Sequence, residues 1–257
     1  MNTRTRLHPV NVYTTLIDDD GQSTAYLICG QERAVLIDTL NGAEDLAELT
    51  RSLTSLPVMV VNTHGHLDHI GCNHFFPEAW MHQEDYSIYR EHLGFVQQAL
   101  RESGAPVPTG EECEIRFLEP DTAIDLGGVT LEVVAIPGHT PGSIALLDRM
   151  ARLLYTGDAI NEGIWMHLDH STPLSVYLAS LNALDTLRPA FDGMYGGHVR
   201  EASPTPASFI DTMKKGIGEI LNGDTAGDCD WQWYEMMAKR HMLENGGYIH
   251  YDPKKVR

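Results

Sequence analysis

Cysteine is scarce in this chain and carries no pattern. The four present, Cys29, Cys72, Cys113 and Cys229, are scattered without a C-x-x-C. That excludes a disulfide framework and a thiolate zinc ribbon, and the thiols read as free and reduced, as in a cytosolic protein. Basic residues are also few, 18 Lys and Arg against 36 Asp and Glu, a formal net charge of -18. Such a surface repels phosphate backbones, so no nucleic-acid partner is expected. No apolar run approaches the length of a membrane span, so no membrane partner is expected either. Met1 to Val12 has charge but no apolar core of a signal peptide, which points to a cytoplasmic location. Repeats, low-complexity tracts and linkers are missing, and the reading is one domain over residues 1–257.

What is present is strand-rich at first. Val10 to Ile17, Ser23 to Cys29 and Ala34 to Ile37 read as strands joined by short polar turns. Glu44 to Leu53 has helical spacing, and Val58-Met59-Val60-Val61 reads as a buried strand. Further on, Glu78 to His82 reads as a strand and Asp85 to Leu100 as a helix broken at Gly94, with a Gly/Pro-rich loop over 102–111. Strands are expected at Thr122 to Leu126, Val129 to Ile136, Ile144 to Leu147, Leu153 to Tyr155 and Phe191 to Tyr195. Helices are expected at Pro173 to Leu187, Thr205 to Leu221 and Trp231 to Met242, with a last strand at Gly247 to Tyr251.

The chemistry concentrates in Thr63-His64-Gly65-His66-Leu67-Asp68-His69, directly after a strand. His64 and His66, two apart in extended chain, point to the same side. Asp68 and His69 lie beyond the turn, where the chain can bend toward a second ion. Imidazole with carboxylate suits zinc, iron or manganese. Three more strands end on a glycine followed by a metal-type ligand: Pro137-Gly138-His139-Thr140-Pro141-Gly142-Ser143, Thr156-Gly157-Asp158 and Gly196-Gly197-His198. Strands ending on one edge would converge His64, His66, Asp68, His69, His139, Asp158 and His198 on one spot. Five imidazoles and two carboxylates are enough for two ions with three private ligands each and one shared carboxylate.

This ordered set resembles the metallo-β-lactamase-fold hydrolases, over roughly residues 10–200. The resemblance implies an αβ/βα sandwich, an α/β fold of two mixed sheets with helices on the outer faces. It implies two divalent metal ions per chain, zinc first, with iron or manganese as alternatives. His64, His66 and His139 would hold the first and Asp68, His69 and His198 the second, with Asp158 and a hydroxide bridging them. Asp68 would also be catalytic, orienting the nucleophile or passing its proton to the leaving atom. Asp38 resembles the buried acid that braces the metal loop; the other reading is a turn or cap before Asn41-Gly42. The implied activity is hydrolysis of a small acyl substrate: a thioester, lactone or ester. The alternative is a mononuclear-iron enzyme similar to the persulfide dioxygenases, a sulfur oxidoreductase.

Departures narrow the branch. Asp158 stands where the best-known β-lactamase subclass has cysteine, and His66 where flavodiiron proteins have glutamate. Glyoxalase II is similar through His198 and then continues into a helical domain with basic residues for glutathione; Lys214-Lys215 is the basic pair near that helix here. Quorum-quenching lactonases are compatible. Selectivity falls to the stretch after Asp158, Gly163-Ile164-Trp165-Met166-His167-Leu168-Asp169-His170. From it Trp165, Met166, His167 and His170 are expected to line the substrate pocket, with Tyr195 beside them. His74, His82 and His92 read as surface groups or as groups behind the ligands. Trp231, Trp233 and Tyr234 read as a cap on the core or a homo-oligomer contact.

Overall fold

The computed structural model describes residues 5–42, 45–103, 113–244 and 246–257. Seven strands form the first sheet, in chain order: β1 (Thr5–Pro9), β2 (Thr14–Asp19), β3 (Thr24–Cys29), β4 (Ala34–Ile37), β5 (Val58–Val61), β6 (Glu78–Met81) and β7 (Glu114–Phe117). The first four pair antiparallel and β4 to β7 pair parallel, so the sheet is mixed. The connections between parallel strands include α1 (Leu46–Leu53), the short α2 (Leu67–Ile70) and α3 (Tyr86–Ser103). The second sheet contains β8 (Ala123–Asp125), β9 (Thr130–Ala135), β10 (Ile144–Asp148) and β11 (Leu153–Gly157). The chain then leaves it for β12 (Gly163–Met166) and α4 (Leu174–Ala183) before returning as β13 (Gly193–Gly196) and β14 (Thr205–Pro206). After α5 (Phe209–Asn222) come β15 (Cys229–Trp233), β16 (Met236–Met242) and β17 (Tyr248–Tyr251).

Strand alternation explains the layers. In β4, Val35 and Ile37 join the core between the two sheets while Ala34 and Leu36 pack outward beside Leu46 of α1. In β10, Ile144 and Leu146 enter the same inter-sheet core while Ala145 and Leu147 pack with Leu181 of α4 and Ile210 of α5. Four layers result, helix, sheet, sheet and helix, as the resemblance implied. A third, four-stranded sheet was not anticipated: its order is β12-β17-β16-β15, with β12 parallel to β17. Among the described residues no helix is long and apolar enough to cross a membrane.

Three expectations need correction. Trp231 to Met242 is not a helix but the hairpin β15–β16, turning at Tyr234 with φ of 50°. The apolar residues fit both periods, but Trp231 and Trp233, two apart, share one strand face. The helix over 86–103 does not break at Gly94, where a Cβ would meet nothing within 4 Å. The strand expected over Val10 to Ile17 begins only at Thr14, in β2; residues 10–13 are the connection from β1, which was not anticipated, and there the Asn11 side chain accepts from the backbone N–H groups of Tyr13 and Thr14. Most of the expected loop over 102–111 lies outside the described residues, and its first two residues close α3.

Candidate metal centre

Four strand ends deliver the polar groups. His64 and His66 follow β5, and Asp68 and His69 occupy the first turn of α2. His139 sits in the loop between β9 and β10. Asp158 and His198 follow β11 and β13, which lie parallel with Gly157 opposite Gly196. The crowding explains Gly197: a Cβ there would lie 2.3 Å from Asp158 Oδ1 and 2.5 Å from His69 Cε1.

The seven groups form two clusters of ligand-type atoms, His64 with His66 and His139, and Asp68 with His69, Asp158 and His198. In the first, His66 Nδ1 and His139 Nε2 are 2.9 Å apart, and the three rings pack edge to face. In the second, His198 Nε2 lies 3.1 Å from Asp158 Oδ2 and 3.5 Å from Asp68 Oδ2. His69 Nε2 lies 3.4 Å from Asp158 Oδ1 and 3.6 Å from Asp68 Oδ2. Asp158 touches both groups, because its Oδ2 is also 3.7 Å from His139 Nε2. Asn161 donates to Asp158 Oδ1 and steadies it.

Partners behind the rings settle which nitrogen faces each cluster. The Trp165 carbonyl can only accept, so His139 donates from Nδ1 and turns the Nε2 lone pair inward. His69 donates from Nδ1 to Asp38 Oδ2. The Thr63 hydroxyl donates to the same Asp38 oxygen, leaving its lone pair to accept from His64 Nδ1. Asp38 therefore fixes one ring in each cluster, and also accepts from the Thr63 backbone N–H. Its backbone is held at φ of 60°, and both carboxylate oxygens are turned to the loop that carries His64 and His69. His64 Nε2 and His69 Nε2 are buried and have no hydrogen-bond partner among the described residues. Buried nitrogen lone pairs aimed at one another and at carboxylates leave unmet cost, and divalent cations fit that donor set.

Electrostatics separates the clusters. Burial, then the neighbouring imidazoles, pushes His64 and His66 well below the usual histidine range. Burial works the same way on His69, but Asp68, Asp158 and Asp38 together outweigh it and raise the ring well above that range. His198 is likewise raised to about 9: burial opposes its charge and Asp158 and Asp68 override it. Burial would raise Asp158, yet His198 and His69 hold it well below the ordinary carboxylate range.

Asp85 was missed in the sequence. Fully buried, it accepts from Gly65 N–H at 2.7 Å, from the Thr140 hydroxyl at 2.8 Å and from Gly142 N–H at 2.7 Å. It ties the His64–His66 loop to the His139 loop. Gly142 is required there, because a Cβ would lie 2.6 Å from Asp85 N.

The expected wall is only partly in place. Ile164 and Met166 point into the core beneath α4, so Met166 offers nothing to a substrate; alternation along β12 sends Trp165 the other way. Tyr195 is also a core residue, packed against Tyr26 and Tyr155. Trp165 meets Trp231 and Trp233 edge to face, and His167 packs on both Trp165 and Trp231. His167 is buried with neither ring nitrogen hydrogen-bonded among the described residues. His170 reaches His66, ring to ring at 4.7 Å. Burial first, then His139, lowers His167 and His170 each to about 4. His92 is no bystander either: its Nδ1 accepts from Leu67 N–H at the start of α2. His74 and His82 bond to local backbone. Lys214 and Lys215 are engaged by Asp185 and Glu244 on the surface of α5.

Comparison with known proteins agrees with this geometry. A sequence model of the metallo-beta-lactamase superfamily matches residues 18–198. The chain is 31% identical over 148 residues to hydroxyacylglutathione hydrolase GloC of Haemophilus influenzae, spanning 55% of this chain and 68% of that protein. It is 27% identical over 188 residues to acyl-coenzyme A thioesterase MBLAC2 of Gallus gallus, 65% of this chain and 68% of that protein. Among solved structures, TTHA1623 in a di-iron-bound form superposes with a TM-score of 0.57 at 26% identity, over 74% of this chain and 93% of that one.

Proposed function

The chain belongs to the metallo-beta-lactamase superfamily of hydrolases, and from the carboxylate that joins its two donor clusters we propose that it cleaves small acyl thioesters with two divalent ions. His64, His66 and His139 would hold one ion, Asp68, His69 and His198 the other, with Asp158 shared. Zinc, iron and manganese all suit imidazole with carboxylate. When bound, such a pair supplies a water acidified to near neutral pH and polarises the carbonyl. The observation that carries the reading is the position of Asp158, 3.7 Å from His139 on one side and 3.4 Å from His69 on the other.

The rest of the work belongs to side chains. Asp68, partly open to solvent beside His198, takes the proton of the attacking water and returns it to the leaving sulfur. Water adds to the carbonyl carbon, the C–S bond breaks, and a carboxylic acid and a thiol leave. Trp165, with Trp231 and Trp233 behind it, offers an aromatic face for the acyl group, and the unpartnered His167 a hydrogen bond for a polar head. Two relatives are named for hydrolysis of acyl–sulfur compounds, which favours thioester over lactone or plain ester.

The test is elemental analysis of chelator-free protein together with thiol release from matched thioester, ester and lactone panels. Two ions per chain with the thioester turned over fastest is expected. One iron per chain, no thiol release and oxygen uptake with a persulfide would establish the sulfur oxidoreductase instead.

A further inference from the structure

Each of the four histidines nearest β5 and β9 turns one nitrogen to a cluster and the other to a fixed partner. For three of them that partner is an oxygen: Asp38 for His69, the Trp165 carbonyl for His139, and the Thr63 hydroxyl for His64. His66 differs. Its Nδ1 faces His139 Nε2 across the first cluster, and its Nε2 meets Nε2 of His170. With the lone pair at Nδ1, the only proton of a neutral ring is on Nε2, and His170 must accept it. We propose that His170 is the positioning residue of His66, holding its ring in the orientation and tautomer that turn Nδ1 to the first cluster. The proposal rests on the metal reading above and assigns His170 a task other than touching substrate.

How His170 comes to be there strengthens the case. Its loop is tied on two sides. Ser171 Oγ donates to the His139 carbonyl and Thr172 N–H to the Gly138 carbonyl, so the loop is stitched to the ligand loop it serves. On the other side Lys255 Nζ donates to the Leu168 carbonyl at 2.9 Å and the Asp169 carbonyl at 2.6 Å. Lys255 lies well outside the residues matched by the family model. The variable end of the chain thus reaches a ligand of the first cluster through one short relay: Lys255, the 168–169 backbone, His170, His66.

His92 flanks the pair, 4.8 Å from His66 and 5.9 Å from His170 between ring centres. The three rings could be read as a third ion site, since their ligand-type atoms lie within 4.8 Å of one another. Two features argue against it. His92 Nδ1 already accepts from Leu67 N–H. His66 would need a second lone pair, which a neutral imidazole lacks.

The experiment is chelator competition on protein loaded with cobalt(II), following the visible spectrum, for wild type, His170→Ala, His170→Gln and Lys255→Met. Partners of this kind are worth about 10–100-fold in metal affinity. His170→Ala should therefore loosen one of the two ions by about that factor and leave the other unchanged. His170→Gln, whose side-chain oxygen can accept the same proton, should recover most of the loss, and Lys255→Met should fall between. Unchanged affinities in His170→Ala with a raised KM would overturn the proposal and make His170 a substrate contact. Three cobalt ions in wild type and two in His170→Ala would overturn it in favour of a third ion site. Wild-type protein that binds no cobalt would overturn the metal centre itself, and this inference with it.

Discussion

The two donor clusters share a carboxylate but are built to opposite rules. The first is three buried imidazoles locked from behind, and burial with the neighbouring rings pushes His64 and His66 well below the usual histidine range. The second sets two imidazoles among carboxylates, and Asp68 and His198 leave roughly a third of their side chains open to solvent. The first suits retention of an ion and the second suits chemistry, because proton transfer needs a group that reaches water. The two buried aspartates behind them differ in the same way. Asp38 touches the His69 ring itself and reaches His64 through the Thr63 hydroxyl, whereas Asp85 touches only the backbone and a hydroxyl of the loops that carry the candidate ligands.

Removing the shared group should do the most damage. Asp158→Ala should lower kcat/KM about a thousandfold or more, several kcal/mol of transition-state stabilisation, and reduce metal content from two ions toward one. Two retained ions with ordinary turnover would show that the clusters do not work as a pair. Asp68→Asn comes next, with a loss of about 100- to 10,000-fold in kcat and the first cluster still occupied. Near-normal kcat at full occupancy would remove the proton-handling role.

The aspartate pair sharpens the contrast. Asp38→Asn should weaken both ions by about 10–100-fold, since it fixes His69 directly and His64 through Thr63. Asp85→Asn presents an amide N–H to buried donors and should cost on the order of 3 kcal/mol of stability, read as a lower Tm, with the affinity for ions in the folded protein little changed. If the two variants gave the same pattern, the distinction between holding a ring and holding a loop would fail. The smallest effect belongs to the wall. Trp165→Ala should raise KM for aromatic or long-chain acyl thioesters by roughly tenfold, about 1.4 kcal/mol, and leave metal content at two. An unchanged KM would place the acyl group elsewhere.

The candidate ligands were legible because His66, His139, Asp158 and His198 each directly follow a glycine near a strand end and His64, Asp68 and His69 lie within three residues of His66, a local pattern that folding only has to bring to one edge. Strands β3, β4 and β10 were legible as short apolar runs, but runs apolar on both faces do not say which residues look toward the other sheet. Asp85 was not legible. Nothing around His82-Gln83-Glu84-Asp85 marks that acid, and its partners come from 20 and 55 or more residues away. The opposite directions of Met166 and Trp165 were hidden by β12, four residues long, which becomes a strand only by pairing with β17 more than 80 residues later. Once it is a strand, alternation alone sends Met166 inward. The hairpin at 229–242 was hidden because its turn uses Tyr234 rather than glycine or asparagine.

That late pairing sets an order of events on the ribosome. All seven candidate ligands have been synthesised once His198 is made, but β12 has no partner strand until Tyr248 to Tyr251 emerge. At about 5–20 residues per second the gap lasts roughly 3–10 s. Through that interval the nascent chain holds a full set of donors while the carbonyl meant to orient His139 belongs to an unpaired edge. Cations met during those seconds encounter donors that are only partly oriented. The last strand to dock thus completes the support of a ring whose own loop was finished more than 100 residues earlier.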